Sequence, residues 1–371
     1  MVNIDGRFKT LFEELEATCE KFKNRVDGFT ETAKALEKKL SVQVDQWQPQ
    51  WEDLAGKLWK IDSSFDAETK KRHRSFVSNS NLISMFRLAP YYQRIITKPE
   101  GYAGDAEMMN IIYRNQYEGV TPFARFLHKT AVNCKACQSV RNRRELLKKE
   151  ILKTGGGNIL SLAAGPALEI QDILAMNPAG NRFDFLALDH DINTIKRAKQ
   201  NHDASGLTYA LANAFNVMKG RYAIMQPRTS RLNKCDPTKD FNGLKRFISP
   251  LKYRISRLKK RHYALVYSAG LFDYIETFPM NPAKGASALT QKLFELVQPG
   301  GRLIIGNFNP LVPPDIRFAM EYICDWNLFY RNKKQMMDFT QTIPDEQMDG
   351  KPMIISESMG LNYFLIVKKT H

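Results

Sequence analysis

The chain of 371 residues is 43% hydrophobic and 11% aromatic, which excludes a disordered protein and predicts an ordinary packed core, in two domains or one with a sizeable extension. No stretch approaches the roughly 18 consecutive apolar residues of a membrane span. The formal charge of +16 is uneven: fourteen Lys or Arg stand against Asp236 and Asp240 between Lys219 and Arg261, a basic insert of about 219–262 that reads as a solvated loop or as a surface for acidic partners.

The opening residues, "MVNIDGRFKTLFEELEATCEKF", carry charges among their apolar positions and do not read as a signal peptide. Phe8, Leu11, Phe12, Leu15, Cys19, Phe22 and Val26 recur at three- and four-residue steps, one apolar stripe of an amphipathic helix. A second helical stretch runs through Ala33 to Leu40. A third segment carries Trp47, Trp51, Leu54, Leu58 and Trp59, with Pro49 the first proline of the chain. Residues 1–87 thus read as a helical N-terminal region. Its stripe packs on itself, folds over the later domain, or joins a second subunit in a homodimer.

Residues 88–154 form a further helical segment. In "APYYQRIITKPEGYAGDAEMMNIIY" (89–113) Asp105 can cap a helix running through Met108, Met109, Ile111 and Ile112. Residues 122–153 read as helical again, until Gly155 to Gly157 stop them. Within this stretch Cys134 and Cys137 form a C-x-x-C. No second pair completes a zinc site and no metal site is expected, so the five cysteines, with Cys19, Cys235 and Cys324, read as reduced structural thiols of a cytoplasmic protein.

From residue 155 the period changes. "NILSLAA" (158–164), "FDFLALDHD" (183–191), "LTYALAN" (207–213), "YALVYSAG" (263–270), "GRLIIGNF" (301–308) and "NYFLIVKK" (362–369) are short, nearly continuous apolar runs. Such strands are buried on both faces, which predicts a mostly parallel, helix-covered sheet, a doubly wound α/β domain over 155–371. Its ligand belongs at the C-terminal ends of the first strands, where the strand order reverses.

Ser161 to Ala167 is then the loop after the first strand, and Ala163, Ala164, Gly165 and Ala167 supply small residues that let a ligand approach the backbone. It lacks both G-x-x-x-x-G-K-[ST] and G-x-G-x-x-G, so neither a triphosphate nor a dinucleotide cradle is indicated. Glu169 lies in the first turn of the following helix, where its dipole favours an acid. Asp189 ends the second strand, placed to accept from both hydroxyls of a ribose, with Asp191 as the alternative and His190 between them. After the third strand, Asn213 offers an amide and Phe215 an aromatic face for an adenine ring. After the fourth, Ser268, Ala269 and Gly270 leave room beside a reacting group.

The small loop, Asp189 and Asn213-Ala214-Phe215 at successive strand ends together resemble the class I S-adenosylmethionine-dependent methyltransferases. The usual first motif of that family is an acid followed by Gly-x-Gly-x-Gly. Here Ser161 stands for the acid, Ala163 and Ala167 for two glycines, and Gly165 alone remains. Pro299-Gly300-Gly301 before "RLIIGNF" and the closing "GLNYFLIVKK" are also similar to the family. The resemblance implies a Rossmann-like, mostly parallel seven-stranded sheet with S-adenosylmethionine as cofactor. Its contacts would be Ala163, Ala164, Gly165, Asp189, His190, Asn213, Ala214, Phe215, Ser268, Ala269 and Gly270.

A narrower resemblance covers residues 88–369. "KPEGYAGDAEMMNIIY", "YSAGLFDYI", "GNFNP" and "MEYICDWNLFYR" are similar to bacterial methyltransferases of 3-hydroxypalmitic acid methyl ester biosynthesis, a quorum-sensing signal pathway. This implies carboxyl methylation of a 3-hydroxy fatty acid or related carboxylate. It also implies Tyr102 and Asp105 as cofactor contacts and Tyr330 and Arg331 as acceptor-positioning residues, with Arg331 pairing a carboxylate. Separately, "CDWNLFYR" puts Trp326, Leu328, Phe329 and Tyr330 close together, which suits either an acyl chain or ordinary core. The basic insert would meet an acidic carrier protein or an anionic membrane surface.

Two further observations bear on the acceptor. None of the six histidines stands in an obvious base position, which suits a carboxylate already ionised at neutral pH. "YSAGLFDYI" stands where nucleic-acid amino-methylating enzymes often carry Asn/Asp-Pro-Pro-Tyr/Phe, which argues against base methylation. The alternatives are N- or O-methylation of a small metabolite and a non-catalytic module that binds nucleic acid or a partner. Nucleic acid is disfavoured by the scarcity of aromatics in the insert.

Overall fold

The computed structural model describes residues 4–176, 182–201, 205–227 and 253–371. Most of the basic insert, 228–252, and Cys235 with it, lie outside the described residues. The chain divides into two compact units, residues 1–141 with 311–327 and residues 142–310 with 328–371. This differs from the expected boundaries at 87 and 154. Residues 88–141 belong with the N-terminal helices, and a late segment, "LVPPDIRFAMEYICDWN", returns to join them.

The first unit is helical: α1 (Gly6–Asp27), α2 (Ala33–Ser63), α3 (Ala67–Ser78), α4 (Asn81–Phe86), α5 (Pro90–Thr97), α6 (Ala106–Arg114), α7 (Pro122–Asn133) and the first turns of α8 (Lys135–Leu152). Asp5 opens α1 by accepting from the N–H groups of Arg7 and Phe8, both at 3.1 Å. The predicted stripe, from Phe8 to Val26, is 0–3% exposed at Phe8, Phe12, Leu15, Cys19, Phe22 and Val26. The Phe22 ring lies 5.1 Å from Trp47 of α2 and 5.8 Å from Phe126 of α7. The stripe is therefore spent inside its own unit and offers no apolar face to a second subunit.

The two segments expected around Pro49 are one helix, α2. Leu36, Leu40, Val44, Trp47, Trp51, Leu54 and Leu58 form an unbroken buried row through it. Burying such a row, at about 1.5–3 kcal/mol per large side chain, outweighs the roughly 3 kcal/mol of an interior proline. The returning segment is anchored by Tyr322, whose hydroxyl donates to Asp62, while Asp62 also holds Nδ1 of the buried His73 at 2.6 Å.

The second unit is built on β1 (Gly157–Leu162), β2 (Phe183–Asp189), β3 (Leu207–Leu211), β4 (Ala223–Pro227), β5 (Tyr253–Arg257), β6 (Tyr263–Ser268), β7 (Val297–Phe308), β8 (Met353–Ser356) and β9 (Asn362–Lys368). They form one sheet in the order β5-β4-β3-β2-β1-β6-β7-β9-β8. The strands β3-β2-β1-β6-β7 run parallel, and β9 pairs antiparallel with β7. These six are the predicted apolar runs. Among the described residues the sheet has nine strands rather than seven: the six predicted runs are joined by β4, β5 and β8, which were not expected. β4 and β5 lie within the insert, near its two ends, and pair with each other, and "YRISR" alternates polar and apolar residues at a sheet edge, where Ile255 is exposed.

Side chains alternate cleanly through the sheet. Leu160, Leu162, Leu188, Val266, Leu303 and Leu365 face Leu289, Leu293 and Phe294 of one covering helix (Gly285–Leu296). Ile159, Phe185, Ala187, Leu265, Ile304 and Phe364 face Leu147 and Ile151 of α8, and the helices α9 (Leu168–Met176) and α10 (Ile192–Asn201). β1 has β2 on one side and β6 on the other, so the chain reverses its direction of winding there. The crevice at the C-terminal ends of β1 and β6 is the switch point where such sheets take a ligand.

Candidate active site

The loop from Ala163 to Ala167 is the floor of that crevice. Ala163, Gly165 and Ala167 have φ of +55°, +56° and +50°. The left-handed conformation that glycines provide without strain is kept here with two alanines in it, at about 1–2 kcal/mol each. What over-determines it is on either side. The Ala164 N–H donates to Leu188 O at 2.9 Å, the Gly165 N–H to Asp189 Oδ2 at 2.9 Å, and Gln171 Nε2 to Pro166 O at 2.8 Å. The Ala167 methyl is fully buried among Ile170, Ile173 and Phe185. A Cβ added at Gly165 would meet nothing within 4 Å, so the backbone there is open to approach.

Asp189 ends β2 and is 6% exposed. Its Oδ2 takes the Gly165 N–H and its Oδ1 the Asp191 N–H at 3.0 Å, so it joins the first loop to the second strand end while each oxygen keeps accepting capacity. His190 Nδ1 lies 3.4 Å from Oδ1, and this contact raises the pKa of the exposed imidazole against the opposing effect of burial. Asp191 is engaged elsewhere, as the cap of α10, where it accepts from Asn193 and Thr194 N–H and from the Thr194 hydroxyl at 2.7–3.0 Å. Of the two acids, Asp189 is the one left for a ligand.

The third strand end is tied in by Ala212, whose N–H donates to Asp189 O at 2.9 Å. Asn213 follows, and its side-chain oxygen accepts from Phe215 N–H at 2.8 Å, opening a short helix (Ala214–Met218) in which Ala214 is half-buried. The Phe215 ring is 56% exposed, an apolar face turned to solvent.

At the end of β6 the Ser268 hydroxyl donates to Leu162 O at 3.0 Å, which couples β6 to β1. Ala269 O accepts from Arg143 Nη1 at 3.2 Å, and a Cβ at Gly270 would lie 3.1 Å from the same nitrogen. Gly306 of β7 is required here too, since its Cβ would fall 2.5 Å from Ala269 O. Two buried acids complete the edge. Glu169 accepts from the Tyr267 hydroxyl at 2.7 Å, and burial raises its pKa. Asp273 accepts from Phe308 N–H at 2.7 Å; burial pushes its carboxyl up to about 7, although the Phe308 N–H, Arg143 and Arg331 pull the other way.

Arg331 does not serve as expected. It is 4% exposed, with Nε on Thr277 Oγ1 at 3.1 Å, Nη1 on Phe272 O and Asn307 Oδ1 at 2.7 Å, and Nη2 on Ile275 O and Thr277 Oγ1. All five N–H donors are committed to the loop after β6 and the end of β7, which leaves none for a substrate carboxylate. Tyr330 beside it is half-buried. The aromatic cluster expected around it is divided, Trp326 in the first unit and Leu328, Phe329 and Tyr330 in the second. Exposed apolar side chains of the second unit sit instead at Tyr274, Phe278, Met280 and Phe329, on the segments that follow β6 and β7.

Tyr102 and Asp105 belong to the first unit. Tyr102 is half-buried. Asp105 is fully buried as the cap of α6: Oδ1 takes the Met108 N–H and Arg94 Nε, both at 2.8 Å, and Oδ2 has no partner. Sequence reasoning missed Arg143 and Asp273. Arg143 is one of three arginines in "RNRR", where nothing singles it out. Asp273 had a usable signal, an acid inside the apolar run "GLFDYI". Among the described residues no three His, Cys, Asp or Glu could together hold a metal ion, and no helix is long and apolar enough to cross a membrane.

No protein-family model and no curated protein matches the chain. Solved structures do. A possible exported protein from Bordetella parapertussis is 14% identical, with a TM-score of 0.50 over 79% of this chain and 97% of that one. The carbon methyltransferase CurJ is 9% identical, with a TM-score of 0.45 over 98% of this chain and 99% of that one. The 1,6-didemethyltoxoflavin N1-methyltransferase of Burkholderia thailandensis, solved with S-adenosylhomocysteine, is 10% identical, with a TM-score of 0.35 over 62% and 78%. At such identities the likeness to the first of these is one of fold.

Proposed function

We propose that this chain is an S-adenosylmethionine-dependent methyltransferase acting on a carboxylate, a 3-hydroxy fatty acid or related acid that it converts to a methyl ester. One observation carries the reading: at the switch point a left-handed loop, two-thirds of it built without glycine, is held by the Asp189 carboxylate through the Gly165 N–H. The residues present fit the cofactor. The space over Gly165 admits a ligand to the backbone, Asp189 keeps lone pairs for ribose hydroxyls, and Phe215 offers an exposed ring for stacking.

The cofactor, when bound, supplies an activated methyl on a sulfonium. The protein's part is orientation and exclusion of water rather than activation of the acceptor, since a carboxylate is already ionised at neutral pH. Tyr274, Phe278, Met280 and Phe329 are apolar material suited to an acyl chain. The basic insert would then serve an acidic acyl-carrier protein or an anionic membrane surface, within cytoplasmic synthesis of a quorum-sensing ester.

A second reading, N- or O-methylation of a small metabolite, is favoured by Asp273. A buried carboxyl with its pKa pushed up to about 7, on the turn after β6, is suited to general-base work that a carboxylate acceptor would not need. The deciding experiment incubates the full chain with methyl-labelled S-adenosylmethionine and a panel of free 3-hydroxy fatty acids, their carrier-bound forms and small amines and alcohols. A product whose label is released by mild base supports the ester. A base-stable product keeps the methyltransferase and moves the acceptor to the second reading. No binding of S-adenosylhomocysteine at all would overturn both.

A further inference from the structure

The C-x-x-C of the first unit has an arrangement that structural thiols do not need. Cys134 follows α7 with extended backbone (φ −58°, ψ 157°), and its carbonyl accepts from Gln138 N–H at 3.0 Å, so it occupies the N-cap of the 18-residue helix α8. Cys137 lies three residues on, across the first turn, which puts both side chains on one face. Cys134 is half-buried and Cys137 is 2% exposed. The Cys137 thiol and the backbone N–H groups of Cys137 and Ala136 favour the charged form of the Cys134 sulphur, against the opposing effect of burial. Behind them, the hydroxyl of the buried Tyr91 lies 3.4 Å from Cys137 Sγ.

The other described thiols are unlike Cys134. Cys19 and Cys324 are buried, and burial pushes both far up from the ordinary thiol value; Cys137 is held up as well, by its hydrogen bond to Cys134 and by burial. The hydrogen bonds received by Cys134 hold its sulphur below that value, with the Cys137 thiol the largest contribution. A sulphur on a half-buried residue, favoured as a thiolate at a helix N-terminus and backed by a buried partner, is the arrangement of an attacking and a resolving cysteine.

We propose that Cys134 and Cys137 form a thiol–disulfide exchange site that takes a small-molecule disulfide, with Cys134 attacking and Cys137 resolving. In the first step the Cys134 thiolate forms a bond to one sulphur of the incoming disulfide and that disulfide breaks. The expelled thiolate takes up the proton that Cys134 released. In the second, Cys137 gives up its proton and attacks the Cys134 sulphur, expelling the second thiolate, which is protonated in turn. The protein dithiol is oxidised to a disulfide, and the small disulfide is reduced to two thiols. This site is independent of the methyltransferase reading and uses none of its residues.

The test uses the full chain in a Cys235→Ser background, treated with oxidised glutathione, quenched by alkylation and read by intact mass and peptide mapping. The expected result is loss of two hydrogens, with the new bond between Cys134 and Cys137, about tenfold or more faster than any adduct on Cys19 or Cys324. Cys137→Ser should stall with one glutathione on Cys134, and Cys134→Ser should take none on Cys137. Equal labelling of all described thiols, or a mixed disulfide that forms on Cys137 as fast without Cys134, would overturn the proposal. The mapping on the unsubstituted pair decides by itself if either serine variant fails to fold.

Discussion

Exchanging the small residues of the Ala163–Ala167 loop separates its conformational role from its ligand role. Ala163 holds φ at +55°, a conformation that costs an alanine about 1–2 kcal/mol and a glycine almost nothing, whereas glycine adds roughly 0.5–1 kcal/mol of chain entropy on folding. Ala163→Gly should therefore stabilise the second unit by about 0.5–1 kcal/mol. Ala167→Gly relieves the same strain but removes a fully buried methyl, worth about 0.8 kcal/mol, and should be close to neutral. Gly165→Ala imposes the strain, at about 0.5–1 kcal/mol net, and meets no atom within 4 Å, so the fold should accept it while a ligand lying on that backbone should not. The four tryptophans, Trp47, Trp51, Trp59 and Trp326, all lie in the first unit, so their emission does not follow this one. Hydrogen exchange of peptides spanning 157–189 against urea does, and calorimetry with S-adenosylhomocysteine reads binding. Destabilisation by Ala163→Gly of more than about 1 kcal/mol would refute the left-handed assignment. Unchanged affinity in Gly165→Ala would show that the cofactor does not lie on this loop.

Three further outcomes follow from the site. Asp189→Ala should weaken S-adenosylhomocysteine binding roughly 10- to 100-fold, the loss of charged-acceptor hydrogen bonds at about 1.5–3 kcal/mol. Asp191→Ala should leave that affinity unchanged and lower stability by about 1 kcal/mol through its cap on α10; the reverse pattern would exchange their roles. Asp273 makes folding stability fall as pH rises from about 4, where the unfolded carboxyl loses its proton, to about 7, where the folded one does, because between them the native state holds more protons. Asp273→Asn keeps an acceptor for Phe308 N–H, so its midpoint of urea unfolding should gain on the parent's across that window; a constant difference would remove Asp273 as the titrating group. Arg331→Lys can replace at most three of five hydrogen bonds, and should speed exchange in peptides 268–277 by the equivalent of about 2–3 kcal/mol while S-adenosylhomocysteine affinity holds. A change in acceptor KM without that loss would return the guanidinium to the substrate.

The central sheet was legible because burial on both faces writes itself as unbroken apolar runs, and all six such runs are strands. The three strands that were not foreseen lie towards the edges of the sheet. There "AIMQP", "YRISR" and "MIIS" need no continuous apolar character, and antiparallel pairing needs no crossover helix to announce it. The crevice was legible for a related reason. The loop residues, Asp189 and Asn213 sit at the C-terminal ends of those runs, and their positions follow from chain order alone. Arg331 shows where that reasoning stops. An arginine after an aromatic cluster reads as a partner for an acceptor carboxylate, since nothing local says that two carbonyls, an amide and a threonine hydroxyl converge on it from strand ends and turns 24 to 59 residues away. On the proposed reading, acceptor recognition would then fall to the exposed apolar side chains and the raised carboxyl of Asp273 at the same edge. Those two favour different acceptors, an acyl chain in the one case and a group that must lose a proton in the other. The apolar residues enter through size and the carboxyl through charge, so a series of acceptors varying chain length and acidity independently assigns each its share.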